Sequence, residues 1–225
     1  MLALQGEACY HDEMKHFVLA LLLALPLSLG AQELTIVDNA ETRVDDAQTY
    51  RAYYGELTGA PHVFTFNVPD DGYTVKAVVL APDTPEVSTD IVAEMISDKN
   101  PEESFARVDG GMIEWQRFFD TSGRDSYLAG PMLEATLTTG SYRIQVSSPD
   151  NMGSYVLVFE GEDGFSLGQI FSRFGALPTI KSEFFGKSAL SAYTTPLLLW
   201  PVVTTLIILA LVIILLIAYR RMRSA

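Results

Sequence analysis

His62-Val63-Phe64-Thr65-Phe66-Asn67-Val68-Pro69-Asp70-Asp71-Gly72 is the stretch that decides the fold class. Its first seven residues change polarity with period two, with Val63 or Phe64 choosing the buried face, as in a strand with one side in a core. Pro69 presets φ and Gly72 supplies positive φ, so 69–72 reads as a turn. A second strand follows at 73–80, and residues 62–81 together read as a hairpin.

Working outward, further strands are expected at 34–37, 91–96, 112–119, 133–137, 141–146 and 154–159. Gly140 and Asn151-Met152-Gly153 mark breaks between the last three. Short strands with turns every 8–12 residues or so favour a sandwich over an α/β fold. No helical period of useful length appears before Phe165, and no repeat of solenoid length occurs. The expected fold is mainly β: an antiparallel, jelly-roll-like β-sandwich ectodomain over 32–164. An amphipathic juxtamembrane helical segment (165–195), one C-terminal transmembrane helix (196–219) and a basic cytoplasmic tail (220–225) follow.

Two strands carry a resemblance. Thr139-Gly140-Ser141-Tyr142-Arg143-Ile144-Gln145-Val146 and Gly153-Ser154-Tyr155-Val156-Leu157-Val158 each show Gly-x-Tyr followed by alternating apolar residues. They resemble the paired late strands of the bacterial pre-peptidase C-terminal (PPC) domain family. The Val63–Leu80 region sits where such domains place an early strand pair. The resemblance spans about residues 45–160, and 83–130 fits it poorly. It implies a jelly-roll-like accessory module that accompanies secreted enzymes and is not itself catalytic. The region 115–155 followed by a membrane helix also resembles uncharacterised single-pass prokaryotic membrane proteins.

The two ends set the topology. Met14-Lys15-His16 opens a short basic region, an apolar Leu/Ala core runs to Leu29, and Ser28, Gly30 and Ala31 are small. That three-part order is a secretory signal over 14–31. Glu7, Asp12 and Glu13 oppose a positive leader, so 1–13 reads as an upstream start extension. Residues 197–218 carry no charge, matching the ~20 needed to cross a bilayer core. Trp200 and Tyr219 stand near the interfaces, and Arg220, Arg221 and Arg223 hold the C-terminus inside under the positive-inside rule. The expected location is the plasma (inner) membrane, with the N-terminus outside or periplasmic. The span carries no ionisable residue or glycine pair, and Thr204 and Thr205 are its only groups for another helix. Leu167, Ile170, Phe171 and Phe174 fall at helical spacing, and Gly175 and Pro178 are expected to end that helix. With Lys181 and Lys187 nearby, the stretch suits either the membrane interface, through Phe171 and Phe174, or packing, on the sandwich or on a partner subunit.

Charge and composition narrow the chemistry. The net charge is −13, with nearly all acids between Glu33 and Glu183. An acidic outer domain repels nucleic acid, so none is expected as a partner. Cys9 is the only cysteine and precedes the signal, so disulfides and thiol chemistry are not expected in the mature chain. His62 is the one histidine after the signal, and no Gly-x-Ser-x-Gly elbow, Walker or metalloprotease motif accompanies it. No catalytic residue is assigned. No cofactor is expected; Asp120, Asp125, Asp150 and Asn151, all in turns, are the only candidates for Ca²⁺. The densest aromatic feature is Trp115-Gln116-Arg117-Phe118-Phe119. As a strand it puts Trp115, Arg117 and Phe119 on one face, which either recognises a ligand or protein or fills the core. The leading expectation is a membrane-tethered, non-catalytic extracytoplasmic β-sandwich module that binds or supports a protein partner at the cell envelope. A glycan- or envelope-binding module using the aromatic face is the alternative, and a carboxylate-dependent enzyme comes third.

Overall fold

The computed structural model describes residues 33–102, 104–161 and 175–224. The expected start extension (1–13), the expected signal (14–31), Leu167, Ile170, Phe171, Phe174 and the side chain of Arg223 lie outside what it describes.

Among the described residues, eleven strands form two sheets. The six-stranded sheet runs β1 (Glu33–Ile36), β3 (Arg51–Thr58), β11 (Met152–Glu160), β5 (Tyr73–Pro82), β9 (Asp125–Leu137), β8 (Gln116–Asp120). The five-stranded sheet runs β2 (Glu41–Arg43), β4 (His62–Val68), β10 (Gly140–Ser147), β6 (Val92–Ser97), β7 (Ser104–Asp109). The pairings are antiparallel except at the first edges, where β1 joins β3 and β2 joins β4 in parallel. This is the expected sandwich.

The 62–81 hairpin does not form. β4 pairs with β2 and β10, whereas β5 pairs with β11 and β9 in the other sheet. The turn at 69–72, with Gly72 at φ +84°, is a corner that carries the chain between sheets. Asp71 stitches this corner to the next by accepting the Thr139 N–H at 2.7 Å and its hydroxyl at 3.0 Å. Those bonds, the backbone one first, hold the Asp71 carboxyl below its usual range. Period-two patterning reports a buried face but not which sheet buries it, so two consecutive strands facing one core look alike paired or stacked.

Three strands were not expected: β2, β3 and β7. β3 is central, and Gly55 in its middle disguises it. Gly55 lies directly across from Tyr155 of β11, and a Cβ there would come within 2.5 Å of the Tyr155 ring. The expected strand over 112–119 is also revised. Gly110–Met112 is a 3-10 turn and the strand begins only at Gln116.

The core between the sheets is aromatic and aliphatic: Tyr53, Leu57, Phe64, Phe66, Val75, Val79, Ile144, Leu157 and Phe159 are among its fully enclosed residues. Rings meet edge-on across the sandwich, Tyr53 on Phe64 at 5.3 Å and Phe66 on Phe159 at 6.2 Å. A polar bond crosses the core: His62 Nδ1 and the Tyr155 hydroxyl lie 2.8 Å apart. Burial holds His62 below its usual pKa and pushes the Tyr155 phenol up. His62 is therefore a neutral tie between sheets.

Beyond the sandwich, residues 175–179 are helical and continue into a π turn, Ile180–Phe184. Gly175 and Pro178 thus do not end a helix there. A 3-10 helix, Ala189–Thr194, follows. The last element is a helix over Pro196–Ser224, of which Pro196–Arg221 is long and apolar enough to cross a membrane, with mean hydropathy 3.1. The Thr204 and Thr205 hydroxyls donate to carbonyls of their own helix, at Trp200 and Pro201 (2.9 and 2.7 Å), as hydroxyls in apolar spans do. Trp200 and Arg220 are exposed and Tyr219 is half-buried.

Because the folded chain keeps His62 neutral while an unfolded imidazole protonates below about pH 6.5, stability falls as pH drops through that value. Urea unfolding from about pH 7.5 to 5.5 should show the native chain losing more stability than His62→Phe, by up to about 1.4 kcal/mol per pH unit. Equal slopes would count against a buried neutral His62.

Candidate functional site

The two outer faces of the sandwich differ. On the six-stranded sheet, Leu34, Ala52, Tyr54, Tyr127, Val156 and Val158 are buried although they alternate with core residues. The segment after residue 175 covers part of this face. Leu177, Ile180 and Phe184 are buried, Phe184 meets Tyr54 edge-on at 5.4 Å, and Phe185 meets Tyr127 at 5.1 Å. The Tyr54 and Tyr127 hydroxyls share a 2.8 Å bond beneath it.

An ion cluster latches the segment down. Asp125, at the start of β9, receives Lys181 Nζ at 2.6 Å on one oxygen and Lys187 Nζ at 2.8 Å on the other. Lys181 also donates to the Gly123 carbonyl and Lys187 to that of Arg124. Lys181 and Asp125 are each 1 % exposed. An ammonium so deeply enclosed persists only with such partners. Of the two uses open to this stretch, residues 180–187 take packing on the sandwich.

On the five-stranded sheet the outer face is open and carries a groove of about 540 Å³. Val92, Glu94, Gln145 and Ser147 form its floor. Ser148 and Pro149 bound one side; Asp90, Asp109, Gly111 and Met112 bound the other. Arg107 pairs with Glu94 at 3.6 Å across β6 and β7, while Asp90 and Asp109 make no ion pair among the described residues. Met112 stands 84 % exposed on the rim.

The rim is braced at Gly110. Its N–H donates to Ile91 O at 2.8 Å, and Asp109 Oδ1 accepts the Gly111 N–H at 3.1 Å. A Cβ on Gly110 would lie 2.7 Å from the Ile91 carbonyl and 2.8 Å from the Trp115 ring. Trp115 donates its indole N–H to Gly110 O at 2.9 Å and wedges against Gly130, where a Cβ would lie 2.6 Å from the ring. Gly130-Pro131 forms a bulge opposite Val79, the kind of site where strands accept glycine and proline.

The expected sharing of one strand face by Trp115, Arg117 and Phe119 does not occur. Trp115 precedes β8, packs against the core and braces the rim from behind. Arg117 is tied to Asp83 by two bonds, 2.8 and 2.9 Å. Phe118 stacks on Tyr127 at 5.5 Å on the latched side, and Phe119 is 57 % exposed. The expected alternation failed because the 3-10 turn breaks the strand before Gln116.

The four Ca²⁺ candidates do not form one ligand set. Asp120 accepts the N–H groups of Ser122 and Gly123, and Asp125 is held by the two lysines. Asp150 caps its own turn through Ser148 and Met152, and Asn151 adopts φ +51° there. The two turns lie at the ends of β9 and β11, which β5 separates, roughly 10 Å at the strand spacing. Among the described residues no group of three or more His, Cys, Asp or Glu could hold a metal. The groove went unread in the sequence because its residues come from β6, β7, β10 and three loops. Gly110-Gly111 was its one local signal.

No family model and no curated protein matches the chain. Among solved structures, it is similar to the pre-peptidase C-terminal domain of a Bacillus anthracis collagenase, at 16% identity and TM-score 0.31, over 53% of this chain and 92% of that one. It is also similar to an Aeromonas hydrophila periplasmic inhibitor of g-type lysozyme, at 14% identity and TM-score 0.30, over 58% and 98%. A β-glucosidase from Paenibacillus barengoltzii aligns at 9% identity and TM-score 0.25, over 55% of this chain and 11% of that one.

Two substitutions test the construction. Gly110→Ala overpacks the rim and should cost about 1–3 kcal/mol in urea unfolding. Asp125→Ala leaves Lys181 buried without its counter-charge and should cost about 3–5 kcal/mol. It should also open residues 175–195 to limited proteolysis, and unchanged proteolysis would sink the latch.

Proposed function

We propose that this protein is a membrane-tethered, non-catalytic module that holds a protein partner in the groove of its five-stranded sheet outside the cytoplasm. The observation that carries the reading is the acidic groove with Met112 on its rim, on the sheet opposite the one the latched segment partly covers. Asp90 and Asp109, which make no ion pair among the described residues, favour a partner segment bearing Lys or Arg, and Met112 offers that segment an adaptable apolar contact.

Two further features support the reading. His62, the one histidine among the described residues, is enclosed and bonded to Tyr155, which supports reading it as a structural group. The arginines after the apolar helix favour an inner membrane with the sandwich outside. The glycan alternative loses its aromatic platform, since Trp115 lies behind the rim.

A photo-reactive residue in place of Met112, expressed in native membranes, should give a discrete protein adduct that weakens with added salt. The same group in place of Met132, 45 % exposed on the other sheet, should not. Identical labelling from both positions, or none from Met112, would refute the assignment.

A further inference from the structure

Residues 189–194 form a 3-10 helix, in which positions three apart lie on one side. Ala192 and Thr195 are buried, at 0 % and 1 % exposure. On another side, also three apart, Leu190 and Tyr193 are 75 % and 51 % exposed. Local bonds keep this arrangement in place: Ser191 N to Ser188 O at 2.9 Å, Thr195 N to Ala192 O at 3.1 Å and the Thr195 hydroxyl to the same carbonyl at 2.6 Å. Lys187, two residues before the helix, is clamped to Asp125, so the helix cannot swing far from the sandwich.

The chain says what lies next to these side chains. The apolar span begins at Pro196, three residues beyond Tyr193. Three residues reach at most about 10 Å. The interfacial layer on each side of a bilayer is itself roughly 5–8 Å deep. A bilayer that holds the span from Pro196 therefore lies within reach of Tyr193, whose ring and hydroxyl suit that boundary.

We propose that Leu190 and Tyr193 form a membrane foot, seated in the interfacial layer of the lipid bilayer, so that the latched segment rests on the membrane instead of trailing as a flexible tether. This assignment is independent of the groove and its partner. Within the described segment from residue 175 it narrows the expected interfacial surface to two side chains, because residues 180–187 are spent on the sandwich.

The test uses the full chain with Cys9→Ser, which removes the only native thiol. Leu190→Cys, Tyr193→Cys, Met152→Cys and Ile207→Cys are each spin-labelled and reconstituted in phosphatidylcholine/phosphatidylglycerol nanodiscs. Relaxation is then compared between dissolved oxygen and a water-soluble nickel chelate. Labels at 190 and 193 should be several-fold less accessible to the chelate than the label at 152, an exposed sandwich position. Equal chelate access at 190, 193 and 152, with 207 protected, means that the helix inserts without a foot and overturns the proposal. Chelate access at 207 as well means that the span itself is wrong, and the proposal falls with it. Should a labelled variant fail to fold, Tyr193→Trp in a Trp200→Phe background is measured against brominated lipid. Quenching there supports the foot and its absence overturns it.

Discussion

The sandwich depends on how Tyr155 is seated. Its ring lies across the bare backbone of Gly55 in the neighbouring strand, and its hydroxyl reaches through the core to His62 in the opposite sheet. One side chain thus sets the register of β11 on β3 and ties the two sheets together. A shift of one residue would put a Cβ against the ring and would leave two buried polar groups without partners, each costing about 1–3 kcal/mol. The surrounding Tyr53, Phe64 and Phe159 rings pack edge-on about this point. Their non-directional burial supplies the bulk of the driving force, while the Tyr155–His62 bond selects the alignment.

The same strand explains why the six-stranded sheet is covered. Tyr155-Val156-Leu157-Val158-Phe159 is buried at every position. A strand that is apolar on both faces needs a second layer, and the segment after residue 175 supplies part of it. The segment is acceptable there only because Asp125 neutralises Lys181 and Lys187 together. The outcome is a sandwich with one outer face partly covered by the latched segment and a polar groove on the other.

The groove on the open face is shaped from inside the molecule. Trp115 could have stood on the surface with Phe119, but two glycines, Gly110 and Gly130, leave a slot that an indole fills. The bulge that admits Gly130-Pro131 also reverses which side of β9 meets the core: Leu133 points inward on one side of it and Leu128 on the other. Aromatic character in sequence is therefore a poor guide to recognition here, since the ring acts through the backbone it supports.

By itself the sequence determined what depends on local chemistry. Polarity period gives strands, proline and glycine give corners, and an uncharged run of bilayer length gives a helix able to cross a membrane. That sufficed for a mainly β domain followed by an apolar helix. Only the tertiary structure decided what depends on distant partners. The 62–81 pair became a corner between sheets, because periodicity marks a buried face and is silent on which neighbour buries it. β3 emerged once Tyr155 explained Gly55. Lys181 and Lys187, basic residues in an apolar stretch, became a latch because Asp125, more than fifty residues away, sits where both can reach it. In each case the deciding contact joins residues far apart in the chain, and no local pattern encodes it.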